Sequence, residues 1–366
     1  MMKSIIGLKE KDLRGKKVLL RVDFNVPVSD GKIQEKFKIK ANKETLDFLI
    51  NKGARVGIVS HITSINSFEK IADQIKAILN RNFAFLPDCI GVAVESNLQN
   101  SKPGDVFLLE NIRKYEGEEK NDSEFAKKLA EPFDLYVNDA FSESHRNYAS
   151  VAAITQFLPS YAGFSLMKEI ENLKKVLNFQ KKEKSLVLGG AKIDIKFSVI
   201  KNFLDKAEHI LIGGAVANIF LEAKNIDIKK SLSDKGFLSE AKEFLKKNTN
   251  IFIPEDYIMS NDMILDIGEK TISQFIAIIS KSKIVIWNGP LGKVEDKKFS
   301  NSSKKIADAI IKSGAFSVVG GGDTIAFLEK INLIDRFSYV STGGGAMLTF
   351  LAGNELPGLI ALESAE

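Results

Sequence analysis

The chain has 366 residues, 44% of them hydrophobic and 27% charged, and a formal net charge of +5. That length supports two domains with cores of their own, while so modest a charge, with Lys and Glu interspersed, argues against nucleic acid as a partner; no apolar stretch reaches membrane-spanning length. Cys89 is the single cysteine, which excludes disulfide stapling and multi-thiolate metal sites, and residues 1–13 lack a signal-peptide core, so the expected setting is the cytoplasm.

In chain order, residues 17–26, 54–61, 83–86, 105–111 and 134–141 are short, apolar and bounded by turn residues, and read as strands. Residues 42–51, 67–79 and 123–129 between them carry helical periodicity. This alternation predicts an α/β domain with a doubly wound parallel sheet, whose ligands sit beyond the carboxyl ends of the strands. Those ends read Arg21-Val22-Asp23-Phe24-Asn25, Ser60-His61, Glu110-Asn111-Ile112-Arg113 and Asn138-Asp139-Ala140-Phe141, followed by His145-Arg146. They are polar and rich in cations. Residues 164–178 turn helical and strongly charged, which predicts a connecting helix and a domain boundary.

The second half restarts the alternation with different strand ends. Leu188-Gly189-Gly190-Ala191-Lys192, Ile212-Gly213-Gly214-Ala215, Asn288-Gly289-Pro290, Gly320-Gly321-Gly322-Asp323-Thr324 and Thr342-Gly343-Gly344-Gly345 each close an apolar run. One glycine turn is ordinary in an α/β protein, but five on one edge point to a face where backbone approaches a ligand and helix N-termini meet an anion. There is no G-x-x-x-x-G-K-[ST] and no G-x-G-x-x-G after the first strand, so neither a P-loop enzyme nor a dinucleotide fold is expected.

A cationic half and a glycine-lined half suit phosphoryl transfer, which needs positioning and charge neutralisation more than covalent help. Arg21, Arg113 and Arg146 suit bidentate phosphate or carboxylate contacts; each is equally readable as a surface arginine. Asp23 and Asn25 could orient a hydroxyl or cap a turn, and His61 could equally be a hydrogen-bonded structural histidine. Lys192 and Lys196, four apart, would share a helix face beside Gly189-Gly190, as a solvated pair also would. Asp323 is the acid best placed for Mg2+ carried with a nucleotide, or else a helix cap shared with Thr324.

In combination and order, these segments resemble the phosphoglycerate kinase family over essentially the whole chain. Arg21-Val22-Asp23-Phe24-Asn25-Val26-Pro27, His145-Arg146, Trp287-Asn288-Gly289-Pro290 and Ser341-Thr342-Gly343-Gly344-Gly345-Ala346 are among the matching stretches. The resemblance implies two doubly wound, Rossmann-like parallel-sheet domains joined by a helix. They would be residues 1–166 for phosphoglycerate, 167–178 as connector and 179–345 for nucleotide, with a tail, 346–366, returning to the first domain. It implies reversible transfer between 1,3-bisphosphoglycerate and ADP by a monomer. Arg21, Asp23, Asn25, Lys38, His61, Ser64, Arg113 and Arg146 stand at the phosphoglycerate positions. Lys192, with Arg21, would stabilise the migrating phosphoryl group. Gly190, Lys196, Gly213, Gly214, Asn288, Pro290, Glu295, Gly321, Gly322, Asp323 and Thr324 would surround ADP or ATP, with Mg2+ meeting Asp323.

The chain also departs from the family pattern. The first-domain loop, ordinarily His-Leu-Gly-Arg-Pro, is His61-Ile62-Thr63-Ser64-Ile65 and is shortened, so Ser64 replaces an anion-binding arginine. Lys38 replaces an arginine, Tyr148 a histidine, Ile195 an aspartate, Met347 a serine and Lys293 an apolar residue. A lost charge-assisted contact costs about 1.5–3 kcal/mol, or about 10- to 150-fold in affinity. The competing expectation is therefore a catalytically impaired paralogue that keeps the nucleotide face as a binding or regulatory protein. A kinase with an altered acceptor is a third.

Overall fold

Short apolar runs form the centres of two six-stranded sheets in the computed structural model, which describes residues 2–365. The chain divides into two units: residues up to Ile170 together with those from Glu355 onward, and Glu171–Asn354. In the first unit the strands are β1 (Lys17–Arg21), β2 (Val28–Ser29), β3 (Lys32–Ile33), β4 (Arg55–Val59), β5 (Ala84–Phe85), β6 (Val106–Leu108), β7 (Leu135–Asn138) and β8 (Ser160–Ala162). The main sheet runs β5-β6-β4-β1-β7-β8, and every pairing in it is parallel. Helices such as Lys43–Asn51, Ala72–Leu79 and Ser123–Ala130 pack their apolar stripes on it, which is why β1 and β7 read as unbroken apolar runs rather than alternating ones.

In the second unit the strands are β9 (Lys184–Leu188), β10 (His209–Ile212), β11 (Ile251–Phe252), β12 (Tyr257–Ser260), β13 (Met263–Ile267), β14 (Ile284–Asn288), β15 (Phe316–Gly320) and β16 (Tyr339–Ser341). The main sheet is again fully parallel, in the order β11-β10-β9-β14-β15-β16. Numbered by appearance, that order is the doubly wound 3-2-1-4-5-6, whose connections reverse between β9 and β14. Ligands of such sheets bind as a rule at that reversal, which here falls between the loops after Leu188 and Asn288.

The helix Phe164–Asn178 runs from the first unit into the second, over the residues expected of a connector. Asp139 anchors its start, its Oδ1 accepting from the amides of Ser165 (2.8 Å) and Leu166 (3.2 Å). The chain rejoins the first unit only after Asn354. Residues 346–354, expected in the returning tail, stay with the second unit; most belong to the helix Gly345–Leu351, and the Leu351 carbonyl accepts from Asn202 Nδ2 at 2.6 Å. The closing helix Pro357–Ser364 packs on the first unit, where the Gly358 amide donates to Ser144 O at 2.9 Å.

Two differences from the sequence reading matter for the site. The strands are shorter than the apolar runs: residues 22–26, 60–61, 109–111 and 139–141 leave the sheet at its carboxyl end and become the loops that carry the polar side chains. Two antiparallel hairpins, β2–β3 and β12–β13, also appear. Each turns on two residues of positive φ, Asp30-Gly31 (50° and 69°) and Asn261-Asp262 (50° and 62°). Such mirror-image turns match the strand twist. Among the described residues no helix is long and apolar enough to cross a membrane.

Candidate active site

At the carboxyl edge of the first sheet, Arg21 ends β1 beside Val59 of β4 and Asn138 of β7, fully buried. Its Nε donates to Ser150 Oγ (2.9 Å), one terminal nitrogen donates to Val22 O (2.5 Å), and the other lies 3.3 Å from His61 Nδ1. Ser150 in turn donates from its hydroxyl and its amide to the buried Glu118 (2.6 and 2.8 Å). The guanidinium is thus gripped from behind and presents an N–H edge to His61. A histidine whose Nδ1 accepts from a cation is neutral, and burial followed by the Arg21 charge holds the His61 pKa at about 3.

Asp23 and Lys38 form the next layer. The ammonium lies 3.3 Å from Asp23 Oδ2, which also accepts from Ser142 Oγ at 2.6 Å, while Oδ1 accepts from the Asn25 amide at 2.9 Å. Burial pushes the Asp23 carboxyl upward, but Lys38, His61, Ser142 and the Asn25 amide together take it below its ordinary value. The Lys38 pKa is raised, chiefly by Asp23. Arg113 lies across the loop: one terminal nitrogen meets Glu119 at 2.7 Å, the other is 3.7 Å from Glu143, and its plane lies over the Tyr148 ring at 4.9 Å. Tyr148, which takes a histidine's position, therefore supplies a cation–π platform.

The shortened loop is stitched to the site rather than left open. The Thr63 amide and hydroxyl both donate to Asn25 Oδ1 (3.0 and 2.9 Å), and Ser64 Oγ donates to Val26 O at 3.0 Å. Arg21, Asp23, Lys38, His61 and Arg113 are thus gathered at one sheet edge, with Asn25 and Ser64 alongside. Arg146 lies on the same edge, where its amide donates to the Glu143 carbonyl at 2.9 Å, but its side chain is exposed and makes no hydrogen bond or ion pair among the described residues. Glu143 was not singled out from the sequence, yet it stands within ion-pair distance of both His61 and Arg113.

In the second unit the glycine turns interlock. The Gly189 and Gly190 amides donate to Asn288 O (3.0 Å) and Pro290 O (2.7 Å), while those of Gly213 and Gly214 donate to Leu188 O (2.8 Å) and Leu291 O (3.0 Å). A Cβ on Gly189 would lie 2.6 Å from the Pro290 carbonyl carbon, and one on Gly214 would lie 2.9 Å from Pro290 O. Gly289 has φ of +86°, and a Cβ there would lie 2.5 Å from the Gly189 carbonyl carbon. These glycines are demanded by loop-on-loop packing at the reversal point, which corrects the reading of the Gly189-Gly190, Gly213-Gly214 and Gly289 turns as close approaches to a ligand. Gly321, at φ +101°, and Gly344, at φ +48°, are required by their own backbone, while Gly322 combines open space where a side chain would go with a backbone that any residue can adopt.

A cavity of about 420 Å³ opens beside these loops, lined by Gly190, Gly214, Pro290, Glu295 and Asp323 with the apolar Leu232, Met263 and Leu265. The second strand of the unforeseen β12–β13 hairpin thus forms one wall. Asp323 stands exposed in the first turn of the helix Gly322–Lys330. Thr324 is turned inward, its Oγ1 accepting from the Gly289 amide at 3.1 Å, and Asn288 is buried with its amide nitrogen 3.8 Å from the Met347 sulfur. Met347 fills the space against Gly320.

The two lysines differ. Lys192 precedes the helix Ile193–Phe203 and is exposed, so it does not share a helix face with Lys196. Lys196 is buried, donates to the Gly189 carbonyl, and is held at about 8 by burial first and the Lys192 charge second, with Asp323 and Asp194 opposing. Asp266, also missed from the sequence, lines the cavity; burial raises it to about 6 although Ser302 and the Ile267 amide hydrogen-bond to it.

One doubly wound unit with a cationic edge, and another with a glycine-walled cavity flanked by a lysine pair and an exposed aspartate, are the parts of a two-domain kinase. Residues 8–354 match the family described as phosphoglycerate kinase, to which the chain belongs. A phosphoglycerate kinase of Dictyoglomus turgidum is 41% identical over 391 residues, covering 99% of each chain; that of Wolbachia sp. subsp. Drosophila simulans is 39% identical over 98% of this chain and 99% of its own. Crystallised phosphoglycerate kinase from Pyrococcus horikoshii OT3 superposes with a TM-score of 0.91 at 33% identity, over 99% of this chain and 98% of that one. The Coxiella burnetii structure gives 0.84 at 34% over both full lengths.

Proposed function

We propose that the chain catalyses reversible phosphoryl transfer between 1,3-bisphosphoglycerate and ADP, the acceptor in the reverse direction being the carboxyl group of 3-phosphoglycerate. The observation that carries this reading is the gathering of Arg21, Lys38, His61 and Arg113 at one sheet edge, with Asp23 and Asn25 among them. Asp23 and Asn25 orient the substrate hydroxyl, and His61, Arg113 and the exposed Arg146 meet its anionic groups. Arg21 is held rigid by Ser150, so its charge needs no reorganisation when the substrate arrives.

The 420 Å³ cavity takes the nucleotide, its apolar wall against the base and Glu295 toward the ribose. Gly322 and the helix N-terminus behind it receive phosphate oxygens. Lys192 is solvated and unencumbered, and it neutralises charge on the migrating group; Lys196 braces the Gly189 carbonyl and faces the nucleotide phosphates. Asp323 fits Mg2+: it is a hard carboxylate on the cavity wall, and no hydrogen bond or ion pair occupies it among the described residues. When bound with the nucleotide, Mg2+ would neutralise phosphate charge; this chain's part is to hold it through Asp323. With Ser64 in place of an arginine, the Michaelis constant for 3-phosphoglycerate is raised while nucleotide affinity stays ordinary. The protein acts as a cytoplasmic monomer.

A coupled assay of the purified protein with Mg-ATP and 3-phosphoglycerate tests this reading. Turnover supports it. Folded protein that binds ADP but neither binds nor phosphorylates 3-phosphoglycerate would refute it.

A further inference from the structure

We infer that Glu143 is an affinity-setting residue of the acceptor site: an internal carboxylate standing where the substrate's anionic groups must sit, so that binding of a phosphoglycerate is linked to uptake of a proton by this side chain. The inference rests on the proposed acceptor and deepens it.

Glu143 closes the short turn Phe141–Glu143 after β7 and is buried. Oε1 lies 3.6 Å from His61 Nε2, and Oε2 lies 3.7 Å from the Arg113 guanidinium. Both separations exceed hydrogen-bond length. Oε2 is buried without a hydrogen-bond partner, and so is Arg113 Nε. A structural ion pair inside a protein closes such contacts, because an unmade hydrogen bond to a buried charge is costly. Here an acceptor and a donor are both left open beside two residues of the substrate cluster.

The charges around it explain why this group must respond. Arg21, Lys38 and Arg113 are the buried or half-buried cations, with the exposed Arg146 on the same edge; Asp23, Glu35, Glu118, Glu119 and Glu143 are the carboxylates; and His61 is neutral. The cluster is already compensated before any ligand enters. A phosphoglycerate brings a further carboxylate and a phosphate, and like charges at close range cannot all stay ionised. Asp23 is fixed by Ser142, the Asn25 amide and Lys38, Glu118 by two bonds from Ser150, and Glu119 by Arg113 from an exposed position. Only Glu143 is half-satisfied, and burial already raises its pKa. On binding, one proton leaves the solvent for a Glu143 carboxylate oxygen, which then donates to an oxygen of the ligand. Binding is therefore tightest at low pH and weakens as pH rises, levelling off where Glu143 is ionised in the complex too. His61 faces the same ligand and is the rival proton acceptor.

The test is calorimetric titration of the full chain with 3-phosphoglycerate in two buffers of different ionisation enthalpy, for wild type and Glu143→Gln. Protonation of the ligand's own phosphate is common to both proteins and cancels in the difference. The expected result is a larger proton uptake by wild type, and affinity about tenfold tighter or more in Glu143→Gln at pH 8, a gap that shrinks toward pH 5. Equal proton counts would assign the uptake to His61 and overturn the inference. So would weaker binding by Glu143→Gln, which would make Glu143 a support for Arg113. If that variant does not fold, Glu143→Thr takes its place, and absence of uptake by wild type alone is decisive against it. Failure of both proteins to bind 3-phosphoglycerate at any pH would instead bring down the acceptor assignment itself.

Discussion

Replacing Gly189 by alanine separates the two reasons a glycine can stand in these loops. Gly189 does not need positive φ, so alanine fits its backbone, and the whole cost is steric. The added methyl would lie 2.6 Å from the Pro290 carbonyl carbon and 2.8 Å from Gly289 O, both backbone atoms that cannot swing aside as a side chain would. Overpacking of this kind costs about 1–3 kcal/mol. Relief requires the 188–190 and 288–291 loops to part, which weakens the Gly189–Asn288 and Gly190–Pro290 hydrogen bonds, worth about 1 kcal/mol each. The expected loss is about 3–5 kcal/mol from the second unit. Gly322→Ala is the control: nothing lies within 4 Å of its Cβ, and it opens a helix, so stability should hold or rise by about 0.5 kcal/mol while ADP binding weakens about tenfold. Urea unfolding followed by Trp287 fluorescence gives the assay. This sole tryptophan is buried in β14, and its Nε1 donates to Gly289 O at 2.8 Å, so it reports the unit that carries the loops. A Gly189→Ala protein with the wild-type midpoint would refute the loop-packing account, and unchanged ADP affinity in Gly322→Ala would refute the phosphate approach.

Three further outcomes follow from the site. Lys192→Met should lower kcat by about a hundredfold or more while leaving the urea midpoint and ADP affinity unchanged, since the side chain is exposed and bonded to nothing among the described residues; a stability loss would contradict this. Ser64→Arg should lower the Michaelis constant for 3-phosphoglycerate about tenfold, minus the small cost of the lost Val26 hydrogen bond, and steady-state kinetics would expose an unresponsive loop. His61 has its folded pKa depressed from 6.5 to about 3, so between those values the unfolded chain takes up a proton that the folded chain refuses. Stability from this group is complete above pH 6.5 and falls as pH drops toward 3; His61→Gln should flatten that limb of the urea-midpoint profile, and parallel profiles would rule His61 out as its source.

Much of the architecture is legible in the sequence because parallel strands buried on both faces advertise themselves as apolar runs. The positions of the functional loops follow from the same signal, since polar residues begin where the sheet ends: Asp23, His61 and Arg113 all fall just past their strands. The purpose of the glycines was less legible. Gly189, Gly214 and Gly289 answer to one another's backbones across more than 20 residues of chain, and a local reading sees only a turn. The Asp30-Gly31 and Asn261-Asp262 hairpins carried a readable turn signal in strands too short to show alternation. Glu143 was overlooked for a different reason. An isolated acid in a polar loop reads as solvated, and its burial depends on His61 and Arg113 arriving from distant strands.

The late return of the chain has a consequence for biosynthesis. Gly358 sits so close to Ser144 and Val151 that a Cβ there would lie 2.7 Å from Val151 Cγ1 and 3.0 Å from Ser144 Cα. The loop bearing Glu143, His145 and Arg146 is therefore buttressed by residues synthesised more than 200 positions later. On the ribosome, residues 171–354 have all emerged before that buttress exists, so the second unit is free to reach its native packing while the first still lacks the helix Pro357–Ser364. A nascent chain released at Asn354 should bind ADP and have no ordered place for its second substrate.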